Sequence, residues 1–440
     1  MKKLELGGVF ILALVLRLAL LSYRINVLNI TPLQNSPDAI EYLLLGKALL
    51  NGWDWSSGYF AARPPLMPLL VAAVYTVFGE SQTAVAVANV ILSAATATLA
   101  CLIAAQLTHS IPAARLAGIL VAIDPASIAN SINVQAETLA NFWFALSMLF
   151  LAHTIQRQKV RDAALAGLAL GLATLARPTT IYLFIFALPV FVFIAKHLRD
   201  RLRLYFAFAV FPALFALLWS ARNLAYIGEY TYTTVSDFNL LFYRAVSVER
   251  WARGGVSDDA IRREFAIEVE RRLGSSVDPS EVDAGFFWRN FSDKDGRRVR
   301  IMRQMALEVY LAHPLWYAAT IPAGVYHIYA YTDMFGEPFV PELLYNLFLY
   351  AAAAAGGVIC WRRRWWPTLA ISLTVIGYIT LATLISQTTG MDTRMRTSAA
   401  AAFAVPAAVG LLTAWETLFR SRRNGRGLVE GAGLDERQPQ

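Results

Sequence analysis

The stretch QTAVAVANVILSAATATLACLIAAQ, at residues 82–106, carries no charged side chain and is long enough to cross a membrane. A helix needs about 20 apolar residues to cross the ~30 Å hydrocarbon core of a bilayer. Because that core offers the backbone no hydrogen-bond partner, only helices and closed barrels cross it. The sequence lacks the alternating pattern of barrel strands, so the stretch predicts a transmembrane helix.

The rest of the sequence has the same character. Hydrophobic residues make up 57% of the 440 residues and charged residues 16%, with a mean hydropathy of +0.47. In soluble proteins about 25% of residues are charged, so a soluble fold is excluded. We predict an all-α, polytopic integral membrane protein with about 10–11 transmembrane helices. The apolar runs that could cross are residues 7–23, 82–106, 112–127, 138–155, 163–176, 180–195, 204–220, 341–360, 368–386 and 398–419.

The first apolar run, 7–23, follows Lys2 and Lys3 and could be taken for a secretory signal peptide. It contains Arg17 and lacks a small-residue cleavage site, so a retained first span is the better interpretation.

The basic residues orient the predicted helices. Lysine and arginine are enriched in cytoplasmic loops, and all basic clusters fall on one side if residues 312–330 form an interfacial or re-entrant helix. Topology therefore explains the formal charge of +8, and no nucleic-acid partner is needed. We predict a multi-pass inner or plasma membrane protein whose active site faces the periplasmic or extracytoplasmic side. The clusters are at 2–3, 157–161, 196–203, 362–364 and 420–426.

The long connections then lie on the outer face. Residues 24–81, part of an N-terminal transmembrane module 1–223, contain two helix-like stretches at 39–50 and 66–78. The second is too short to span, which predicts that it lies in the membrane interface.

Residues 224–310 are charged and predict a small outer subdomain, followed by the interfacial helix and C-terminal spans of 311–420. The polar tail 421–440 predicts a disordered cytoplasmic segment.

Charged side chains collect at the outer ends of the predicted spans. Each has an ordinary explanation alone, as a first-turn acid or a snorkelling arginine. Their coincidence on the face that the other basic residues avoid indicates a functional site. Arginine forks suit a phosphate, and a partly desolvated carboxylate suits a general base, so the set predicts transfer of a group from a lipid phosphate. The set consists of Asp38, Arg63, Glu137, Arg177, Arg222 with Asn223, and Asp392 with Arg394 and Arg396.

Six blocks along the chain together resemble the GT-C glycosyltransferases of the family 39 type, which include protein O-mannosyltransferases and aminoarabinose transferases. They occur in the family's order, from the first outer loop to the last span. One departure is Ala39, where many relatives carry a second acid. The blocks are SPDAIEYLLLGKALLNGW (36–53), RPPLMPLLVAAVYTVFG (63–79), AETLANFW (136–143), LARPTT (175–180), WSARN (219–223) and TRMR (393–396).

The resemblance implies a GT-C fold in which interfacial helices of the first outer loop cover the active site. It also implies a polyprenyl-phosphate-linked sugar donor and inversion at the anomeric carbon. The acceptor would be a hydroxyl of a glycan, lipid or protein.

We expect Asp38 to be the general base. Glu137 would orient the acceptor, support Asp38 or join a possible divalent metal site, whose ligands the sequence leaves unknown. We expect the donor phosphate to contact Arg222, Arg394, Arg396 and Arg177, and the substrates to contact Tyr42, Arg63 and Asn223.

Two other classes fit a polytopic protein with charges at the membrane boundary. A transporter or lipid flippase usually carries its ionisable sites near the bilayer midplane, whereas these acids lie at one rim. A non-catalytic subunit of a glycan-assembly complex would have no need of Asp38. Replacement of Asp38 therefore separates an enzyme from such a subunit.

Overall fold

The computed structural model describes residues 3–33, 38–275, 278, 296–334, 337–386 and 393–430. Within these residues the structure is helical, apart from a short antiparallel hairpin of β1 (Asp333–Met334) and β2 (Glu337–Pro338). The all-α prediction is confirmed. Up to the outer subdomain the helices are α1 (Lys3–Asn26), α2 (Ala39–Leu50), α3 (Tyr59–Ala62), α4 (Leu66–Phe78), α5 (Gln82–Thr108), α6 (Ile111–Ala122), α7 (Pro125–Ser131), α8 (Ala136–Arg157), α9 (Val160–Ala176), α10 (Leu183–Phe186), α11 (Leu188–Val192) and α12 (Leu198–Ile227).

The remaining helices form the outer subdomain and the C-terminal bundle. A π-helical turn, Leu240–Ala245, and two 3₁₀ turns, Pro178–Thr180 and Thr393–Ala399, complete the secondary structure of the described residues. The remaining α-helices are α13 (Thr234–Asn239), α14 (Val246–Ala252), α15 (Asp258–Leu273), α16 (Gly296–Ala312), α17 (Pro314–Ala319), α18 (Ile321–Tyr329), α19 (Val340–Arg362), α20 (Trp366–Ser386) and α21 (Ala400–Glu430).

Seven helices in the described part of the chain are long and apolar enough to cross a membrane, and the bent pair α6–α7 would make an eighth. This is fewer than the 10–11 crossings predicted. The run 163–176 belongs to α9, whose 17 residues extend about 25 Å, less than the ~30 Å core. The run 180–195 is broken between α10 and α11, where Pro189 lacks the amide hydrogen that would continue the helix.

A buried arginine on the first helix contacts the bend of this pair and stabilises it. The chain turns by 54° between Ala122 and Pro125, which frees carbonyl groups at the end of α6. Arg17 of α1, fully buried, donates to Ala122 O at 2.8 Å and to Val121 O at 3.3 Å. Its Nε donates to Ser93 Oγ of α5 at 2.7 Å. The one charge within the apolar run 7–23 therefore satisfies backbone groups that lipid could not.

Small residues let the long helices approach closely. A Cβ atom at Gly356 of α19 would lie 1.7 Å from the Pro406 carbonyl of α21, and one at Gly167 of α9 would lie 2.0 Å from the Phe208 carbonyl of α12. Such contacts are typical of membrane helices, which associate through close packing because lipid removes the hydrophobic driving force.

The elements predicted on the outer face are present as helices. Stretches 39–50 and 66–78 form α2 and α4, which pack together where Gly46 meets Val71. Residues 312–330 form two short helices that break at Thr320, so this segment contains no helix of spanning length. The last helix continues to Glu430, ten residues into the segment predicted to be disordered, and residues 431–440 lie outside the described part.

The outer subdomain has its own apolar core. Helices α13 to α16 and the π-helical turn bury a shared set of side chains against one another, separately from the core of the membrane bundle. Of the unit predicted at 224–310, residues 276–277 and 279–295 are outside the described residues. Its centre includes Leu241, Val246, Ile261, Val269 and Ala306.

Candidate active site

The first part of the site is built by the helices of the first outer loop. Asp38 immediately precedes α2, and Glu41 lies in its first turn. Arg63 ends α3, just before Pro64 and Pro65. Its Nη2 donates to Asp38 Oδ1 at 2.6 Å and its Nε donates to Glu41 Oε2 at 2.5 Å. One guanidinium thus joins two carboxylates, and we call these three residues the Arg63 clamp.

Burial and charge act in opposite directions within the clamp. Burial alone would lower the pKa of the Arg63 guanidinium, but the charges of Asp38, Tyr42 and Glu41 outweigh this and raise it. Burial raises the pKa of Glu41, although Arg63 opposes the shift. The Asp38 side chain keeps 31% of its surface exposed, against 14% for Glu41. Asp38 is therefore the carboxylate of the clamp that a substrate can reach most easily.

The second part of the site is a carboxylate with two arginines. Glu137, buried in the first turn of α8, has its Oε1 3.4 Å from Arg177 Nη2 and 3.6 Å from Arg394 Nη1. Arg177 ends α9 and Arg394 lies in the second 3₁₀ turn, so Glu137 joins two elements distant in sequence. These three side chains together carry one net positive charge, and we call them the Glu137 cradle.

Tyr42 connects the two parts. Its side chain is buried on α2, and the Arg63 guanidinium lies 5.4 Å from its ring centroid. Tyr42 also packs in one buried cluster with Ala136 and Ala176, the residues directly before Glu137 and Arg177, so the clamp and the cradle are neighbours. Burial raises the pKa of Tyr42, which keeps the phenol neutral.

A tyrosine of the outer subdomain reaches the same place. Tyr243 lies in the π-helical turn, and burial raises its pKa. The charges of Asp38 and Arg394 act on its hydroxyl, which places the turn beside both parts of the site. Extra-wide helical turns are frequent at functional sites.

Arg396, predicted to bind the donor phosphate, is paired with Asp124 and not with Glu137, while Asp392 lies outside the described residues. It is fully buried, and its Nη2 donates to Asp124 Oδ1 at 2.7 Å while its Nη1 donates to Asp124 Oδ2 at 3.3 Å. Asp124 also accepts a hydrogen bond from Ser127 Oγ at 2.5 Å. A 3₁₀ turn has three residues per turn, so residues two apart face different sides. Arg394 therefore faces Glu137, whereas Arg396 pairs with the break of the bent span.

Asn223 and Arg222 also have structural partners. Asn223 is buried and its amide donates to the carbonyls of Thr231 and Tyr232, both at 3.0 Å, which ties α12 to the loop that follows. Arg222 donates to Trp55 O at 2.8 Å and lies 4.3 Å from the Tyr226 ring centroid. Both residues therefore have partners within the protein, and their contacts with the substrates stay a prediction.

A divalent metal ion does not fit these donors. The carboxylates of Asp38, Glu41 and Glu137 are each already paired with arginine. Nowhere in the described part of the chain do three or more metal-ligating side chains of His, Cys, Asp or Glu gather. Carboxylates that face arginine carry the wrong neighbours for a second cation.

Three residues of this region were missed by sequence reasoning. Glu41 stands three residues after Asp38, on the same face of the predicted helix, which is a usable signal. Asp124 is an acid inside a predicted span, and such residues are functional or structural by default. Tyr243 carries no sequence signal, because only the packing of the outer subdomain brings it to the site.

Part of the chain is similar in sequence to a known family and to curated proteins. Residues 62–226 match the family described as dolichyl-phosphate-mannose-protein mannosyltransferase. The chain is 28% identical over 230 residues to the undecaprenyl phosphate-alpha-4-amino-4-deoxy-L-arabinose arabinosyl transferases of Pseudomonas aeruginosa and Pseudomonas paraeruginosa. That match covers 48% of this chain and 41% of each relative, so it spans less than half the length of these curated proteins.

The fold is similar to that of a solved membrane enzyme. The archaeal oligosaccharyltransferase AglB from Archaeoglobus fulgidus, in complex with an inhibitory peptide and a dolichol-phosphate, aligns with a TM-score of 0.56 at 16% identity, over 99% of this chain and 52% of that one. Its apo form aligns with a TM-score of 0.57 at 16% identity, over 100% of this chain and 53% of that one. At this identity the likeness shows the fold alone. Over part of its length the chain is therefore similar in sequence to the protein mannosyltransferase family and to the arabinosyl transferases, and its fold is similar to that of the oligosaccharyltransferase.

Proposed function

We propose that this protein is a membrane glycosyltransferase that transfers a sugar from a polyprenyl-phosphate donor to an acceptor hydroxyl, with inversion, on the non-cytoplasmic face. The observation that carries the proposal is the adjacency of the two parts of the site. A partly exposed carboxylate, Asp38, lies next to a cradle with net positive charge. A base beside an anion-binding site is what this transfer requires.

The cradle is suited to the donor phosphate. The Arg177 side chain is 15% exposed and that of Arg394 is 24% exposed, so each can present part of its fork to a ligand. Arginine binds phosphate through paired, charge-assisted hydrogen bonds. Glu137 in this proposal holds the two forks in place, which revises its predicted role in catalysis or metal binding.

The reaction then needs little covalent chemistry from the protein. Asp38 accepts the proton of the acceptor hydroxyl while that oxygen bonds to the anomeric carbon from the face opposite the phosphate. The bond between the anomeric carbon and the phosphate oxygen breaks, and its electron pair leaves with the phosphate. Arg177 and Arg394 offset the charge that develops there. The site accelerates the transfer mainly by positioning the two substrates and by stabilising the departing phosphate.

The donor class follows from the chemistry that the relatives' names share. One group of relatives is named for an undecaprenyl phosphate sugar, and the matched family is named for a dolichyl phosphate sugar. Both are sugars on a polyprenyl monophosphate. We propose this class for the present chain.

The test is transfer by the purified protein in lipid nanodiscs. Undecaprenyl phosphate-4-amino-4-deoxy-L-arabinose and dolichyl phosphate mannose, each labelled in the sugar, would be supplied with an envelope extract as acceptor. The proposal expects label in a new glycosidic bond and release of the polyprenyl phosphate from at least one donor. Movement of an intact donor across a bilayer, without bond formation, would instead indicate a flippase.

The variant Asp38→Asn should lower turnover about 10²–10⁴-fold, because it removes the general base while keeping the side-chain shape. Donor binding should persist, since the cradle is untouched. A matched control is Glu80→Gln, which alters an exposed acid of the same loop, paired with Lys47 at 2.9 Å. A folded Asp38→Asn protein with normal turnover would falsify the assignment of the base.

A further inference from the structure

Glu41 has no part in the transfer as described so far, yet it makes the shortest contact in the clamp. It stands three residues after Asp38, so both carboxylates project from one face of α2. Arg63 lies between them, 2.6 Å from Asp38 and 2.5 Å from Glu41. The Arg63 side chain is 7% exposed, so its charge is balanced by these neighbours and hardly by solvent.

The ion pair between Asp38 and Arg63 conflicts with the proposed role of Asp38. A nearby arginine stabilises the charged carboxylate and so makes it a weaker base. Arg63 cannot relieve this by losing its proton, because guanidinium remains charged in proteins. A base tied to one arginine alone would therefore be held firmly but would accept a proton poorly.

Glu41 resolves this conflict. It accepts from Nε of Arg63, whereas Asp38 accepts from Nη2. One positive charge is thus divided between two carboxylates, and the three side chains of the clamp together carry one net negative charge. The two contacts also fix the plane of the guanidinium, so Arg63 meets Asp38 through Oδ1 and part of Asp38 stays exposed.

We propose that Glu41 is a positioning residue for Asp38, one that divides the charge of Arg63 and thereby keeps Asp38 both oriented and basic. This role rests on the proposed function, in which Asp38 removes the acceptor proton. Glu41 touches no reacting atom and acts only through Arg63.

Other charged or titratable groups also lie near Asp38. Their effect on Asp38 is the same in the wild-type protein and in the Glu41 variants. Tyr42 lies on the same helix, and the others come from α3, α8, α9, the second 3₁₀ turn and the outer subdomain. Exchange of Glu41 leaves all of them in place. They are Arg63, Glu137, Arg177, Arg394, Tyr243 and Arg262.

The test is the pH profile of Glu41→Gln in the nanodisc transfer assay. Loss of the Glu41 charge leaves Arg63 wholly to Asp38, so the Asp38 carboxylate becomes a weaker base. The acid limb of kcat/KM should therefore move to lower pH, by about one unit, and kcat on the plateau should fall several-fold, up to about tenfold. Glu41→Asp, which keeps the charge, should shift the limb less. Glu80→Gln should change neither quantity.

Each outcome decides the question. A Glu41→Gln enzyme with an unmoved acid limb and normal kcat overturns the inference. So does one that only loses thermal stability, because a purely structural residue would behave in that way. If Asp38→Asn keeps full turnover, the base assignment fails and the role of Glu41 fails with it. If Asp38→Asn is inactive and the Glu41→Gln profile is unmoved, the proposed function stands and only the division of charge is wrong.

Discussion

At the scale of single residues, the site contains two charged groups that are each shared between two partners of opposite charge. Arg63 serves two carboxylates, and Glu137 serves two arginines. Removal of one partner from a buried pair leaves an uncompensated charge, so each shared group depends on both neighbours. The sharing leaves Asp38 partly exposed and the cradle with net positive charge. If each arginine were paired with a single carboxylate, both properties would be lost.

Replacement of a cradle arginine by lysine tests whether the fork itself binds phosphate. Arg177→Lys and Arg394→Lys keep the charge but lose the planar pair of donors. One charge-assisted hydrogen bond contributes about 1.5–3 kcal/mol, so kcat/KM for the donor should fall about 10–100-fold in each variant. Steady-state kinetics with varied donor concentration measures this. Arg115→Lys, at an exposed arginine paired with Glu5, is the control. Normal kinetics in both cradle variants would contradict the phosphate assignment.

Sequence reasoning predicted which charged side chains would lie close together but could not orient every one of them. Asp38, Arg63, Glu137, Arg177 and Arg394 do come together, because the predicted topology placed all of them on one face. Arg396 does not join them, since hydropathy carries no information about which side of a 3₁₀ turn a residue faces.

At the scale of elements, the bent span α6–α7 is held from two sides. Arg17 of α1 satisfies the carbonyls that the bend frees, and Arg396 pairs with Asp124 at the bend itself. The 3₁₀ turn that carries Arg396 also carries Arg394 of the cradle. The bend is therefore connected to the site through a single short turn.

Asp124→Asn should destabilise the protein by about 3–5 kcal/mol, because it strands the buried Arg396 charge. The double variant Asp124→Leu with Arg396→Met removes both charges and should recover most of this loss, as apolar replacements of buried ion pairs often do. Thermal unfolding of the detergent-purified proteins measures both effects. Thr417→Ala, which removes an exposed hydroxyl that bonds within its own helix α21, is the control. A double variant no more stable than Asp124→Asn would argue against the ion pair.

The hydropathy pattern predicted where the spans lie more accurately than whether each span is one unbroken helix. The runs 82–106, 138–155 and 368–386 fall within single long helices. The runs 112–127 and 180–195 look equally apolar but are broken, at Asp124–Pro125 and at Pro189. A window average cannot register a single proline or acid, whereas the hydrogen-bond ladder of a helix depends on every residue.

At the scale of the whole molecule, the arrangement is a membrane bundle with an outer subdomain beside its site. The bundle supplies Glu137, Arg177 and Arg394, the first outer loop supplies the clamp, and the outer subdomain supplies Tyr243. The orientation of the predicted helices placed the charges of the bundle and those of the first outer loop on the same face. Tyr243 could not be predicted, since its approach depends on packing between units far apart in sequence.

The proposed sidedness can be tested by cysteine labelling in whole cells. Lys47→Cys places a thiol in the first outer loop, at a side chain that is 48% exposed. The native Cys101 and Cys360 are both buried, so they should give little background. A membrane-impermeant maleimide should label Lys47→Cys from outside the cytoplasmic membrane. Labelling seen only in inverted vesicles would reverse the topology.

The hydrogen bonds of Arg17 bear on how this chain is inserted as it is made. An arginine at the centre of a membrane helix disfavours insertion by about 2.5–3.5 kcal/mol. Its acceptors on α6 are separated from it by more than a hundred residues, because Arg17 contacts Ala122 at a sequence distance of 105. During synthesis Arg17 can first bond to Ala13 of its own helix and then to Ser93 of α5, whereas its bonds to α6 form only after that helix is made. The hydrogen bonds of the N-terminal helix are therefore completed late, when the bent span is in place.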